Sequence, residues 1–219
     1  MEKKSEHYIP ALSFDLLTPM YDLLVRLTTP EATFKRKLIE RAGISKGQKV
    51  LDIGCGTATL TLLVKSAHPE AQVWGLDGDP RILKIARRKA EKAGAHITLD
   101  EGMSYRLPYP DESFDRVLSS LFFHHLTSED KERTLQETRR ILRPGGQLHV
   151  ADFGRPQNAL MRVAALPWQA FDGWKTTGDN VQGRLPQLFS LAGFSEVRET
   201  DRYMTFFGTL SLYSAQKKI

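Results

Sequence analysis

The feature that most narrows the fold is an alternation. Five short runs, "KVLDIG" (49–54), "QVWGLD" (72–77), "HITLD" (96–100), "FDRVLSS" (114–120) and "QLHVADF" (147–153), are apolar and rich in β-branched or aromatic residues, as strands buried on both faces are. Helical patterns separate them. "TATLTLLVKSAH" follows the first run and "PRILKIARRKAEKAG" the second, where Asp79 stands at the N-cap position and Pro80 in the first turn. "SEDKERTLQETRRIL" precedes the fifth run, opens at a Thr127-x-x-Asp130 capping pattern and is stopped by Pro144-Gly145-Gly146. This strand–helix–strand repetition predicts an α/β, doubly wound, mostly parallel sheet.

Residues 1–43 read as two helices, "ALSFDLLTPMYDLLVRL" and "EATFKRKLIERAG", broken near Pro30, and residues 44–155 hold the alternating core. Residues 156–219 carry the apolar segment "NALMRVAALPWQAFDGW", a helix "RLPQLFSLAG" and two strands, "SEVRETD" and "TFFGTLSLYSAQ". With 219 residues, 41% of them hydrophobic, and no repeat or long linker, a single domain is expected. The one cysteine, Cys55, excludes an internal disulfide and a Cys-rich metal centre, and no clustered ligands imply a metal. No run of about 18 apolar residues could cross a bilayer, and "MEKKSEHYIP" leads into no apolar signal segment, so a soluble, cytoplasmic protein is expected. The net charge is +5, with the densest basic stretch at 34–49. That stretch reads as a solvated helix face or as one that meets an anionic substrate or membrane surface. No basic run is interleaved with aromatics, and no nucleic-acid partner is expected.

The turn after the first strand reads "VLDIGCGTATL" (50–60). Glycine-rich turns between strand and helix usually cradle phosphate on backbone N–H groups, but here Asp52 stands two residues before the first glycine and would repel it. The dinucleotide fingerprint also needs a third glycine, and Thr59 occupies that place. A nicotinamide-dependent oxidoreductase on this fold is disfavoured for both reasons. A ligand with a cationic amine and no phosphate fits better, since Asp52 attracts it while Gly54 and Gly56 let it approach the backbone. Asp77, 21 residues after Gly56 at the end of the next strand, stands where open α/β sheets place a carboxylate for ribose hydroxyls. S-adenosylmethionine has this character. Asp52 as a helix cap and Gly56 as a plain tight turn are the structural alternatives.

"VLDIGCGTATL", "VWGLDGDPRILKIARRKA", "LPYPDESFDRVLSS" and "RRILRPGGQLHVADF" together resemble, in order, the motifs of class I S-adenosylmethionine-dependent methyltransferases, especially the group similar to ubiquinone/menaquinone C-methyltransferases. The match runs from about residue 18 to 155 and continues weakly through "LFSLAGFSEV" and "FGTLSLYSA". The resemblance implies a seven-stranded sheet whose last strand is antiparallel. It places Asp52, Gly54, Cys55 and Gly56 along the methionine part of the cofactor, and Asp77 with Gly78 at the ribose. Met103 and Ser104 fall where the family pattern has Asp-Ala, so Met103 would pack on the adenine and the Ser104 N–H would donate to a ring nitrogen. Ser120 and Leu121 would present backbone near the methionine end. Tyr21, followed by Asp22, resembles a Tyr-Asp pair carried in a lid over the cofactor. Ala58 stands where the family usually has glycine.

Methyl transfer is an in-line displacement at an activated carbon, so proximity supplies much of the rate and a base is needed only if the acceptor loses a proton. The motifs assign no catalytic residue. His124 and His125 in "FFHHL", and Asp152 at the end of the fifth strand, are base candidates set against structural roles. The apolar, aromatic segment 158–174 reads either as core or as a lid for a hydrophobic small-molecule acceptor such as a quinone, a lipid or a secondary metabolite, with transient contact to a membrane surface. A non-catalytic protein that binds an adenosyl ligand is the alternative function.

Overall fold

A computed structural model describes residues 31–218. The predicted helix at 11–27 and Tyr21 lie outside the described residues. The elements run α1 (Glu31–Ala42), β1 (Lys49–Ile53), α2 (Thr59–Ala67), β2 (Gln72–Asp77), α3 (Pro80–Lys92), β3 (Thr98–Glu101) and β4 (Phe114–Ser120). A 3-10 turn at Phe123–His125 leads to α4 (Ser128–Ile141) and β5 (Leu142–Phe153). Four short helices follow, α5 (Ala159–Ala164), α6 (Leu166–Asp172), α7 (Trp174–Val181) and α8 (Leu185–Leu191), and the chain closes with β6 (Phe194–Thr205) and β7 (Gly208–Lys217).

The sheet has seven strands in the order β3-β2-β1-β4-β5-β7-β6. Strands β1 to β5 pair parallel, and β7 runs antiparallel to both β5 and β6. Alternation along the strands feeds two cores. Leu51, Val117 and Val150 point to the face covered by Leu135 of α4 and Phe189 of α8, while Val50, Leu118 and Ala151 point to the face covered by Phe34 and Leu38 of α1 and Val64 of α2. The strand order reverses between β1 and β4, which opens a crevice at their carboxyl ends.

Local chemistry fixes the boundaries. The Asp79 side chain accepts from the Arg81 N–H at 2.8 Å and caps α3, and Thr127 Oγ1 accepts from the Asp130 N–H at 3.1 Å and caps α4. Helix α4 passes into β5 at Leu142, so Pro144-Gly145-Gly146 lies inside the strand, at an irregularity in its pairing with β4, and does not form a separate stop. The segment 205–216 is not one strand as its composition predicts. It breaks at Phe206-Phe207, where Thr205 Oγ1 accepts the Phe207 N–H at 3.2 Å and donates to Gly208 O at 2.8 Å, closing a β6–β7 hairpin without the usual Asn-Gly turn. Buried Lys131 on α4 donates to the carbonyl oxygens of Leu126 and Thr176 and lies 3.5 Å from Asp179. Through it α7 is tied to the loop after β4.

Ala58, which precedes α2, is fully buried and adopts a left-handed conformation at φ 61. A Cβ is strained there, and glycine would not be. Ala58→Gly is expected to raise the unfolding free energy by about 0.5–1 kcal/mol after allowing for the looser unfolded chain. Chemical denaturation measures this, and a less stable variant would contradict the strain.

Candidate cofactor and acceptor site

Two glycines with different duties shape the turn after β1. The N–H groups of Gly54 and Cys55 both donate to Leu76 O, at 2.9 and 3.0 Å, which locks the turn to β2. Gly54 has φ +68, and a Cβ there would sit 2.3 Å from the Phe122 ring, so its missing side chain makes room for a residue of the loop after β4. Gly56, at φ +53, has nothing within 4 Å of where a Cβ would stand. Backbone is therefore open to a ligand at Gly56. Cys55 is buried and packs close to Gly75, and burial first of all keeps its thiol protonated.

Two carboxylates flank this turn. Asp52 is 1% exposed and accepts from Thr61 Oγ1 of α2 at 2.7 Å. Burial pushes its pKa up to about 7 against the pull of the Thr61 bond and Lys35, and Asp77 raises it further. Half-buried Asp77 accepts the Gly56 N–H at 2.9 Å on one oxygen and the Asp79 N–H at 3.0 Å on the other. Burial also raises its pKa, opposed by those backbone donors. Lys89 of α3 donates to Thr57 and Thr59 at 3.2 and 2.6 Å and ties α3 to the turn, a link carried by no sequence motif.

The other predicted cofactor residues surround the same edge. Gly78 follows Asp77, and the loop holding Met103 and Ser104 is fastened to β2 by the Gly102 N–H on Asp77 O at 3.0 Å. Met103 is half-buried, while the Ser104 hydroxyl is committed to Thr134 of α4 at 2.8 Å. Leu121 adopts φ 55 and donates its N–H to Ala151 O at 2.8 Å, so it offers no free donor there. The Ser120 hydroxyl is buried without a hydrogen-bond partner at the end of β4.

Across the crevice, Asp152 gathers the residues at the end of β5. Its carboxylate lies 2.7 Å from His124 Nδ1 and accepts the N–H groups of Phe153 at 2.7 Å and Phe122 at 3.1 Å. Asn180 of α7 donates to it at 3.3 Å and to Phe153 O at 2.9 Å, a contribution from 28 residues downstream of Asp152 that periodicity could not reveal. Phe153 and Trp168 stack at 4.5 Å, and the His124 ring meets both edge-on at 5.1 and 5.7 Å. His125 packs on His124 at 3.9 Å, and burial, followed by His124 and Lys131, holds its imidazole well below the usual range and hence neutral at pH 7. Trp168 Nε1 and Asn180 Oδ1 are buried there without partners.

Comparison with known proteins gives this arrangement its family. Residues 50–146 match the model of a methyltransferase domain. The chain is 30% identical over 207 residues to a demethylmenaquinone methyltransferase of Listeria monocytogenes, covering 84% of this chain and 86% of that one. This methyltransferase is a class I, S-adenosylmethionine-dependent enzyme related to the demethylmenaquinone methyltransferases. A second relative of the same name, from Thermus thermophilus, is 37% identical over 145 residues, 65% of each chain. A solved S-adenosylmethionine-dependent methyltransferase from Aquifex aeolicus shares the fold at a TM-score of 0.65 and 19% identity, over 93% of this chain and 99% of that one.

S-adenosylmethionine is the cofactor of the family, and the residues present fit it. Two carboxylates whose proton affinity is raised first of all by burial, that of Asp52 also by Asp77, make an edge that favours a cation and hydroxyl donors and disfavours phosphate. Gly56 leaves open space beside them, and Ser120 Oγ awaits a partner.

The Asp52 shift also has a stability sign. Its folded pKa of about 7 lies above the unfolded value of 3.8, so the folded state binds the extra proton between them, and stability falls as pH rises from about 4 to 7. The span corresponds to about 4 kcal/mol at most. Asp52→Asn is expected to flatten that part of the curve in urea titrations without ligand, and an unchanged slope would show that Asp52 ionises freely.

Proposed function

We propose that this methyltransferase transfers a methyl group to a ring carbon of a demethylated, prenylated naphthoquinol. The observation that carries the acceptor class is the Phe153–Trp168 stack beside the buried His124–Asp152 pair, a flat apolar wall for a fused ring with a proton acceptor at its edge. The Listeria and Thermus names support the same reading.

The bound cofactor supplies an electrophilic methyl group on a sulfonium. Asp52 ionises to meet the cationic methionine end over the open backbone of Gly56, with Gly54 and Cys55 forming the rest of the turn. Asp77 takes the ribose hydroxyls beside Gly78, Met103 and the Ser104 N–H hold the adenine, and Ser120 and Leu121 line the methionine end. On the acceptor side His124 takes the quinol hydroxyl proton, which makes the adjacent ring carbon nucleophilic; the new C–C bond forms as the methyl–sulfur bond breaks, the ring C–H proton then passes to the quinol oxygen and restores the hydroxyl, and His124 releases its proton to water. Asp152 fixes the imidazole with its Nδ1–H inward and balances the charge when His124 is protonated. Asn180 holds Asp152 in place.

Turnover of a short-chain demethylated naphthoquinol under reducing conditions, followed by mass spectrometry of the product, tests the acceptor. Methylation at carbon supports it, and methylation only of amines or of the quinol oxygen overturns it. His124→Asn is expected to lower kcat by about 100-fold or more while S-adenosylhomocysteine affinity stays unchanged, the scale of a lost general base. Full activity in that variant would return His124 to a structural role. Calorimetry at pH 6 in buffers of different ionisation heat is expected to show proton release when S-adenosylhomocysteine binds, and Asp52→Asn should abolish the release and weaken binding by about 1–3 kcal/mol.

A further inference from the structure

We propose that the outward face of α5, together with the tip of the β6–β7 hairpin, docks this enzyme on an anionic lipid bilayer. The inference rests on the naphthoquinol reading only for its purpose, since a prenylated acceptor resides in a bilayer. Its physical basis is separate.

Helix α5 and the residues after it are apolar on two sides. Met161 and Ala165 face the hairpin, where a Cβ on Gly208 would lie 3.3 Å from Ala165 Cβ and 3.4 Å from Met161 O. Helical geometry puts Leu160, Val163 and Leu166 on the opposite side, and they are 68%, 63% and 47% exposed. An exposed apolar face flanked by a cationic side chain suits the boundary between water and an apolar phase. The hairpin tip repeats the pattern. Phe207 turns inward to pack with Phe153, Ala165 and Trp168, whereas Phe206 points out at 73% exposure. Met204, 61% exposed, joins the patch to α5 through the contact of its sulfur with Asn158 Nδ2 at 3.7 Å.

Charge selects the occupant. Residues 154–170 contain two arginines, Arg155 and Arg162, both exposed, and no acidic residue, although the chain carries 26 acidic residues in all. Cations beside exposed aliphatic and aromatic side chains complement the head groups and acyl boundary of an anionic leaflet. A second copy fits less well, because a two-fold contact would set Arg162 against its own image.

The test is co-sedimentation of the full chain, without quinone, with vesicles of phosphatidylcholine alone and of phosphatidylcholine mixed with phosphatidylglycerol. Binding to the mixed vesicles that weakens with salt is expected. Val163→Glu/Phe206→Glu should reduce it by at least tenfold, and Arg155→Gln/Arg162→Gln by about 25-fold, about fivefold per arginine. Unchanged unfolding temperature and S-adenosylhomocysteine affinity would show that these variants are folded. Absence of binding to the anionic vesicles, equal binding by the Val163→Glu/Phe206→Glu variant, or a dimer in sedimentation velocity that this variant dissolves would each overturn the proposal. Vesicle binding without naphthoquinol turnover would overturn only the acceptor reading.

Discussion

A parallel sheet covered by helices on both faces leaves polar chemistry almost nowhere to stand except at the strand ends. Here the strands bury Leu51, Val117 and Val150 on one side and Val50, Leu118 and Ala151 on the other, and the acids Asp52, Asp77 and Asp152 all sit at or near carboxyl ends. The reversal of strand order between β1 and β4 brings these ends to the rim of one crevice. Everything polar about the site follows from that geometry. The proton affinity of Asp52 is raised because a hydrophobic strand carries it inward, and the same strand prevents it from drifting into solvent.

The two halves of the rim are held by different means. On the cofactor side backbone does most of the holding, with Leu76 O receiving two N–H groups and Asp77 receiving those of Gly56 and Asp79. On the proposed acceptor side a side chain does it, since Asp152 ties His124, Phe122 and Asn180 to the end of β5. A backbone frame suits a ligand shared by a whole family, whereas a frame of side chains can be altered residue by residue to suit a different acceptor.

The alternation, the caps at Asp79 and Thr127, and the glycine turn after β1 were legible because each depends on residues close in sequence. Asp52, Gly54, Gly56 and Asp77 belong to two adjacent strand ends, and the spacing of a βαβ unit already brings them together. The hairpin at Phe206-Phe207 was not legible, since Thr205 and Gly208 close it with side-chain and backbone bonds in place of a recognised turn sequence. Neither were Asn180, Lys131 or the Phe153–Trp168 stack. Their roles arise when short helices far along the chain fold back over the end of β5, and no local period encodes such a return. The split duty of the two glycines was equally hidden, because only the fold reveals that Phe122 fills the place beside Gly54.

That Phe122 contact links the two sides of the crevice. Its ring lies where a side chain on Gly54 would be, and its own N–H is bonded to Asp152, so one residue touches the cofactor turn and hangs from the acceptor-side hub. Close-packed interiors transmit displacement with little absorption. Any displacement of the loop after β4 would therefore press on or unload the turn after β1, so the two ends of the crevice are mechanically joined through one aromatic ring.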